Sequence, residues 1–342
     1  MKDIQTVTGA LDPSLLGFTL MHEHLLISSW NNRITDPEWL PYEKALDFIA
    51  PVIADAKAAG VDSIVDCSPF NLGRDVLLLR DVSERTGINI IATTGVYMDE
   101  SGWLNLISEE NLLKYILREI QDGTQGTQIR CGAIKCATDR FGFTPINRKT
   151  LRACARAAIE TDLPIITHCR PENTRQGLFQ QDIFEELGVD LNHVLIGHFR
   201  EGDPLDYAEN VMRRGSYIGI DQMNFNAHHL AFNLDTIVEL IRRGWTERLM
   251  LSHDAVICYN HTRWADWDHS QYINYAPDSL RYLKCTVVPM LLERGVTPDQ
   301  IHTIFVKKSE NESPSPVPMM IFGGSPHIVA EPPKFAQNTS DR

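Results

Sequence analysis

Eight short apolar runs, each followed by a helical segment, constrain this chain more than any other feature of its sequence. The runs are FTLMHEH (18–24), SIVDCS (63–68), INIIATTG (88–95), CGAIK (131–135), PIITH (164–168), VLIGH (194–198), YIGID (217–221) and LMLSHD (249–254). Their mean spacing is about 33 residues, the length of one βα unit. Between them, YEKALDFIAPVIADAKAAG (42–60) places Leu46, Ile49, Ile53 and Ala56 on one helical face, with Pro51 expected to kink or split the helix. GRDVLLLRDVSERTG, SEENLLKYILREIQDG, NRKTLRACARAAIETD and TRQGLFQQDIFEELG follow, with Ser, Asn or Thr at several starts and Gly at several ends. Near-continuous apolar strands alternating with amphipathic helices predict a parallel sheet covered by helices. Eight units predict a closed (β/α)8 TIM barrel, an α/β fold, rather than an open doubly wound sheet. No strand is followed by a Gly-rich dinucleotide fingerprint or a phosphate-binding loop, which agrees with that choice.

The barrel is expected to span residues 1–306 of the 342, with no domain boundary inside it. The remainder, 307–342, is dense in Pro, Ser and charge and reads as a loosely ordered tail in which MMIF (319–322) alone is apolar. A net charge of −13 without a basic run disfavours a nucleic-acid partner. The seven cysteines are scattered and never in C-x-x-C spacing, so they are expected to be buried thiols of a reducing compartment. No apolar stretch reaches membrane-spanning length, and the N-terminus lacks a signal-peptide core. A soluble, cytoplasmic protein is expected, with no membrane or nucleic-acid partner.

Active sites of such barrels lie at the C-terminal ends of the strands. Those ends carry His22, His24, Lys135, His168, His198 and Asp254. On a strand, His22 and His24 in TLMHEHLL point to one face and Glu23 to the other. Each residue also has a plainer reading. His168 could be a hydrogen-bonded core histidine, and Asp254 a helix cap. Lys135 is harder to dismiss, because an amine at a barrel mouth needs a charge partner or a lowered pKa. Taken together, imidazoles and carboxylates in this number suit zinc or a similar divalent ion. His253 points away from His22's side and is read as packing.

The chain resembles the phosphotriesterase family of the amidohydrolase superfamily. The resemblance is carried by TLMHEHL, FNLGRDVLLLRDVSERTGINIIATTGVY, CGAIKCATD, IITHCRPENTRQGLFQQDIFEELGVDL, VLIGH, DYAENVMRRGSYIGID and LMLSHDA, in the expected order over residues 4 to 306. It implies a binuclear centre bridged by a carboxylated lysine and a hydroxide. By that resemblance His22, His24 and Asp254 hold one ion, His168 and His198 the other, and Lys135, as its carbamate, bridges both. Two divalent ions are implied, zinc first, with manganese, cobalt or iron as alternatives. Asp254 would also take the proton as attack proceeds.

The family hydrolyses lactones, phosphotriesters and related esters. Lactone-hydrolysing relatives carry a tyrosine where this chain has Tyr97, so a lactonase with phosphotriesterase side activity is expected. The alternatives are a triesterase, a carboxylester or amide hydrolase with the same centre, or a barrel that no longer catalyses. Relatives often read Asp-Arg after the seventh strand; here Gln222 follows Asp221, and Arg200 is a candidate substitute anchor. The segment CYNHTRWADWDHSQYINYAP (258–277) is expected to form an aromatic wall over the mouth, with Tyr259, Trp264 and Trp267 touching substrate. The expected partner is a small-molecule ester or lactone, and the expected assembly a homodimer.

Overall fold

In the computed structural model, which describes residues 3–98, 102–170, 174–223, 227–268 and 279–306, each of the eight apolar runs forms a strand. A hairpin of β1 (Ile4–Thr6) and β2 (Gly9–Leu11) precedes them. The eight are β3 (Thr19–Ser28), β4 (Ser63–Asp66), β5 (Asn89–Gly95), β6 (Ala133–Ala137), β7 (Ile165–His168), β8 (Val194–Ile196), β9 (Tyr217–Ile220) and β10 (Leu249–Leu251). A further strand, β11 (Val256–Asn260), completes a nine-stranded sheet. Its order is β10-β9-β8-β7-β6-β5-β4-β3-β11, and the paired strands are parallel.

The two ends of this sheet are successive pieces of one segment. β10 pairs with β9, residues 252–255 cross over, and β11 pairs with β3. Two backbone bonds mark the crossing: Asp254 N donates to His22 O at 3.0 Å and His24 N to Ala255 O at 2.8 Å. The sheet therefore curls back on its own first strand, and the fold is barrel-like.

Burial follows the curl. One buried cluster draws Met21, Val65, Ile91, Ala133, Ile166, Leu195 and Tyr217 from β3 to β9, with Ile4 and Leu16 against them and Met250 of β10 packed alongside. One residue per strand is what the inside of a barrel collects. The larger cluster sandwiches the opposite strand faces (Leu20, Ile64, Ile90, Ile134, Ile165, Ile196, Ile218, Leu251) against helix residues such as Leu46, Leu79, Leu112, Leu151, Phe184 and Val211.

The helices begin and end where short-range chemistry dictates. Asp75, Ser108 and Thr144 each accept a bond from the first turn of α-helices Val76–Thr86, Glu109–Gln121 and Pro145–Thr161. Gly87 and Gly188 close helices Val76–Thr86 and Gln176–Leu187 in left-handed conformation.

Several expectations are corrected. Pro51 does not split its helix, which runs unbroken over Tyr42–Ala58; Pro51 lies on the exposed side. Cys285 is exposed, whereas the other six thiols are buried and all seven are free. Residues 258–260 are strand rather than loop, because Val256–Asn260 supplies the partner that β3 would otherwise lack. Trp264 and Trp267 make ring contacts with Phe48 of helix Tyr42–Ala58, at 6.0 and 5.4 Å between centroids. Tyr272, Tyr275 and the tail 307–342 lie outside the described residues. No described helix is long and apolar enough to cross a membrane.

Candidate metal centre

Four histidines, a lysine and an aspartate converge where the strands end, on the same side of the curled sheet. His22 and His24 come from β3, Lys135 from β6 and His168 from β7; His198 follows β8, and Asp254 lies in the 252–255 crossing. The register of β3 against β4 shifts between Leu20 and Glu23. That irregularity lets Met21 join the interior cluster while His22 and His24 still face the centre, their rings 5.6 Å apart. His22 and His198 rings lie 4.9 Å apart, His198 and His168 rings 4.3 Å. Ligand atoms of His22, His198 and Asp254 all fall within 4.8 Å of one another, a set that could hold a metal ion.

Each imidazole turns one nitrogen inward and ties the other down. His22 Nδ1 and His198 Nδ1 each meet one oxygen of Asp221 at 2.8 Å. His168 Nε2 meets Asp139 Oδ2 at 2.6 Å, and His24 Nδ1 meets Ser68 Oγ at 2.9 Å. A carboxylate accepts only, so the bonds to Asp221 and Asp139 place protons on His22 Nδ1, His198 Nδ1 and His168 Nε2. Lone pairs then remain on the inward nitrogens. Hydrogen bonds of this charge-assisted kind contribute about 1.5–3 kcal/mol each and fix ring orientation as well as tautomer.

Inside, the nitrogens crowd. His198 Nε2 approaches His168 Nδ1 to 2.6 Å, and Lys135 Nζ approaches His22 Nε2 to 2.6 Å. Asp254 Oδ1 lies 3.2 Å from His24 Nε2 and 3.6 Å from His22 Nε2. Two lone pairs facing each other at 2.6 Å repel unless a cation lies between them. A shared proton serves in the bare chain, and a divalent ion is the other solution, so the residues fit a metal. His198 and Asp254 hold positive φ, 65° and 53°, the sort of strain that concentrates at functional sites.

The electrostatics favour neutral His22 and His168 and an ionised Asp254. Burial, reinforced by Lys135, lowers His22 to about 3. Burial and His198 lower His168 to about 4. Burial alone would lower His198, but Asp221 and Asp254 outweigh it and raise it. Burial would raise Asp254, yet His198, His24 and His22 hold it well below the ordinary carboxylate range. Lys135 has no exposed surface, and its neighbours are cation-binding groups.

Of the expected substrate contacts, Tyr97 lies over the centre, its ring 5.0 Å from that of His168. Burial, then Asp254 and Asp139, push its phenol up, so it stays protonated and available as a donor. Arg200 Nη1 donates to Gln222 Oε1 at 2.8 Å, and Gln222 Nε2 donates to Asp254 Oδ2 at 2.9 Å. Gln222 thus braces Asp254. Tyr259 lies against His261, with ring centroids 3.5 Å apart.

Sequence reasoning passed over Asp221, Asp139 and Ser68. A signal for Asp221 was present in the glycines opposite it: a Cβ on Gly197 or Gly219 would stand 2.8 or 2.9 Å from Asp221 Oδ2. Those two positions leave the carboxylate room to reach both histidines.

A strand-end cluster fitted to a divalent ion, on a curled parallel sheet with helices around it, is the class of site this fold presents. The sequence matches the Phosphotriesterase family over residues 2–312, and the chain belongs to that family. It is 34% identical over 319 residues to a "Phosphotriesterase homology protein" of Mycobacterium tuberculosis (strain ATCC 25618 / H37Rv), covering 90% of this chain and 96% of the relative. An "Aryldialkylphosphatase" of Saccharolobus solfataricus is 33% identical over 294 residues, covering 85% and 92%. An "N-acetyltaurine hydrolase" of Danio rerio is 25% identical over 349 residues, covering 89% and 95%.

Proposed function

We propose that this phosphotriesterase-family hydrolase is a (β/α)8 barrel with a binuclear metal centre and that it opens lactones by attack of water on the carbonyl. The observation that supports this most is the inward convergence of lone pairs on His22, His168 and His198, each fixed by a carboxylate on the ring's other side. His22, His24 and Asp254 would hold one ion and His168 and His198 the other, with Lys135, carboxylated by CO2, between them. Zinc suits the donor set; manganese, cobalt and iron are the alternatives. When bound, the ions supply Lewis acidity, acidifying water and polarising the carbonyl.

The chain's own residues do the rest. Asp254, kept ionised by the surrounding histidines, accepts the proton of the attacking water. Gln222, steadied by Arg200, restricts the carboxylate to one orientation for that task. Tyr97, kept protonated by burial, donates a hydrogen bond to the ring oxygen as it leaves. Arg200, Gln222, Tyr259, Trp264 and Trp267 are the proposed substrate-side residues, the tryptophans acting through their packing on Phe48. The proposed setting is a cytoplasmic homodimer that takes a small-molecule ester or lactone, with phosphotriesterase side activity and no nucleic-acid or membrane partner.

A phosphotriester is the second reading, favoured by the 33% identity to the relative named Aryldialkylphosphatase. Tyr97→Phe separates the two. Losing one transition-state hydrogen bond costs roughly 1–3 kcal/mol, about 10- to 100-fold in kcat/KM. Lactone hydrolysis should fall by that factor. Turnover of a triester with a good leaving group should hardly change. Steady-state kinetics of both proteins on a panel of lactones, triesters and amides reads this directly; a wild-type preference for triesters would overturn the lactonase reading.

A further inference from the structure

Glu23, between the two histidines of the His-Glu-His run, points away from the centre and has no exposed surface. Its two oxygens take four bonds. Oε1 accepts from Ser252 Oγ at 2.7 Å, His253 N at 2.9 Å and His253 Nδ1 at 2.8 Å, and Oε2 accepts from Ala255 N at 2.9 Å. Every donor belongs to the four-residue crossing that contains Asp254. The contacts bracket Asp254 on both sides and hold it at φ 53°, a left-handed conformation that L side chains rarely adopt.

The brace extends in two directions. Ser252 Oγ, while donating to Glu23, accepts His22 N at 3.0 Å, which ties the backbone of His22 into the same network. His253 Nε2 accepts Leu283 N at 3.1 Å, so this imidazole is the neutral Nδ1–H form and anchors the crossing to segment Leu283–Val287.

We infer that Glu23 is a positioning residue of the metal centre, which fixes Asp254 against His22 and His24 by holding the crossing from behind. The inference rests on the binuclear hydrolase reading above. The physical reason is specific to a carboxylate. Four buried donors need an acceptor-only partner, and an amide supplies only one accepting oxygen. With glutamine at position 23, an N–H must face either Ala255 N–H or the Ser252–His253 donors. The crossing then relaxes from its left-handed turn and carries Asp254 away from the histidines.

The test uses full-length protein reconstituted with Co2+, whose visible absorption reports ligand geometry, and Glu23→Gln, Glu23→Asp and Ser252→Ala variants. Folding is checked by far-UV circular dichroism and a single unfolding transition. The expected Glu23→Gln protein is folded, has an altered Co2+ spectrum, and releases metal to a chelator about 10- to 100-fold faster. Its kcat falls by a similar factor while KM changes little, and Glu23→Asp recovers part of both. Ser252→Ala moves in the same direction by less. A Glu23→Gln protein with a lowered Tm but wild-type spectrum, release rate and kcat would make Glu23 a brace of the fold alone and overturn the inference. If Glu23→Gln does not fold, Ser252→Ala decides: faster release supports the assignment, and wild-type release overturns it. A wild-type chain that takes up no metal would instead overturn the hydrolase reading and this inference with it.

Discussion

Lys135→Ala should yield a folded protein that keeps neither metal ion and hydrolyses its substrate on the order of 10³-fold more slowly, a loss of roughly 4 kcal/mol in transition-state stabilisation. Lys135 is fully buried, with its amine against His22 Nε2 at 2.6 Å. An ammonium there would repel the cations that the surrounding nitrogens are arranged to bind. In the proposed scheme, addition of CO2, with release of one proton, would convert the amine into an anionic carbamate with two oxygen donors. Alanine removes that ligand and leaves a gap of its shape. A small carboxylic acid such as propionate should fill the gap and restore part of both metal content and rate. Lys135→Glu should retain some activity for the same reason. Metal analysis and initial rates with and without added acid check the prediction. A fully active Lys135→Arg protein would show that a cation serves at this position and would end the bridging account.

Asp221→Asn is the second change expected to have a large effect, although Asp221 touches no ion in the proposed scheme. One carboxylate orients two ligands, accepting from His22 Nδ1 and His198 Nδ1 at 2.8 Å each. It also accepts the backbone N–H of His198 at 3.0 Å, which helps to hold the positive φ there. Burial would raise this carboxyl, but His198 and His22 hold it far below the ordinary range. Asparagine can accept from only one of the two imidazoles. Its NH2 faces the other and drives the proton from Nδ1 to the inward nitrogen, where it blocks the lone pair. Loss of one orienting partner typically costs about 10- to 100-fold in metal affinity or activity, and here two ligands depend on the same group. The expected protein binds metal substoichiometrically and loses about 100-fold or more in kcat/KM. Long-range 1H–15N correlation spectra of the histidine rings read the tautomers independently of activity. Unchanged tautomers with full metal content would remove Asp221 from the account.

The fold was legible in the sequence wherever apolar runs were long and alternated with amphipathic helices. All eight expected strands form, because each needs two apolar faces between the interior and the helices. Val256–Asn260 does not stand out as a strand because only four residues separate it from Leu251 and it looks like a continuation into a loop. Only the closing geometry, which leaves β3 in need of a partner, shows it as a strand. The six candidate ligands were legible because histidine, lysine and aspartate are out of place at the ends of apolar strands. Their orienting partners were not. His22 and Asp221 are 199 positions apart, and a lone aspartate after YIGI carries no mark of the ring it will hold. Asp139 and Ser68 are ordinary polar loop residues until β6 and β4 are placed beside the histidines they meet. Trp264 and Trp267 read from the sequence as a wall over the mouth, and the ring contacts they make with Phe48 and with each other could not be read from it, because they depend on where helix Tyr42–Ala58 packs.

Metal stoichiometry is the most direct test of the central claim that these six residues hold two divalent ions. Elemental analysis of the purified wild-type chain, of His22→Ala and of His198→Ala, each with its rate on the best substrate, is the measurement. The account predicts two ions per chain in the wild type, one or none in either variant, and no hydrolysis by either. Full metal content in both variants, or undiminished hydrolysis by a wild-type chain freed of metal, would contradict it.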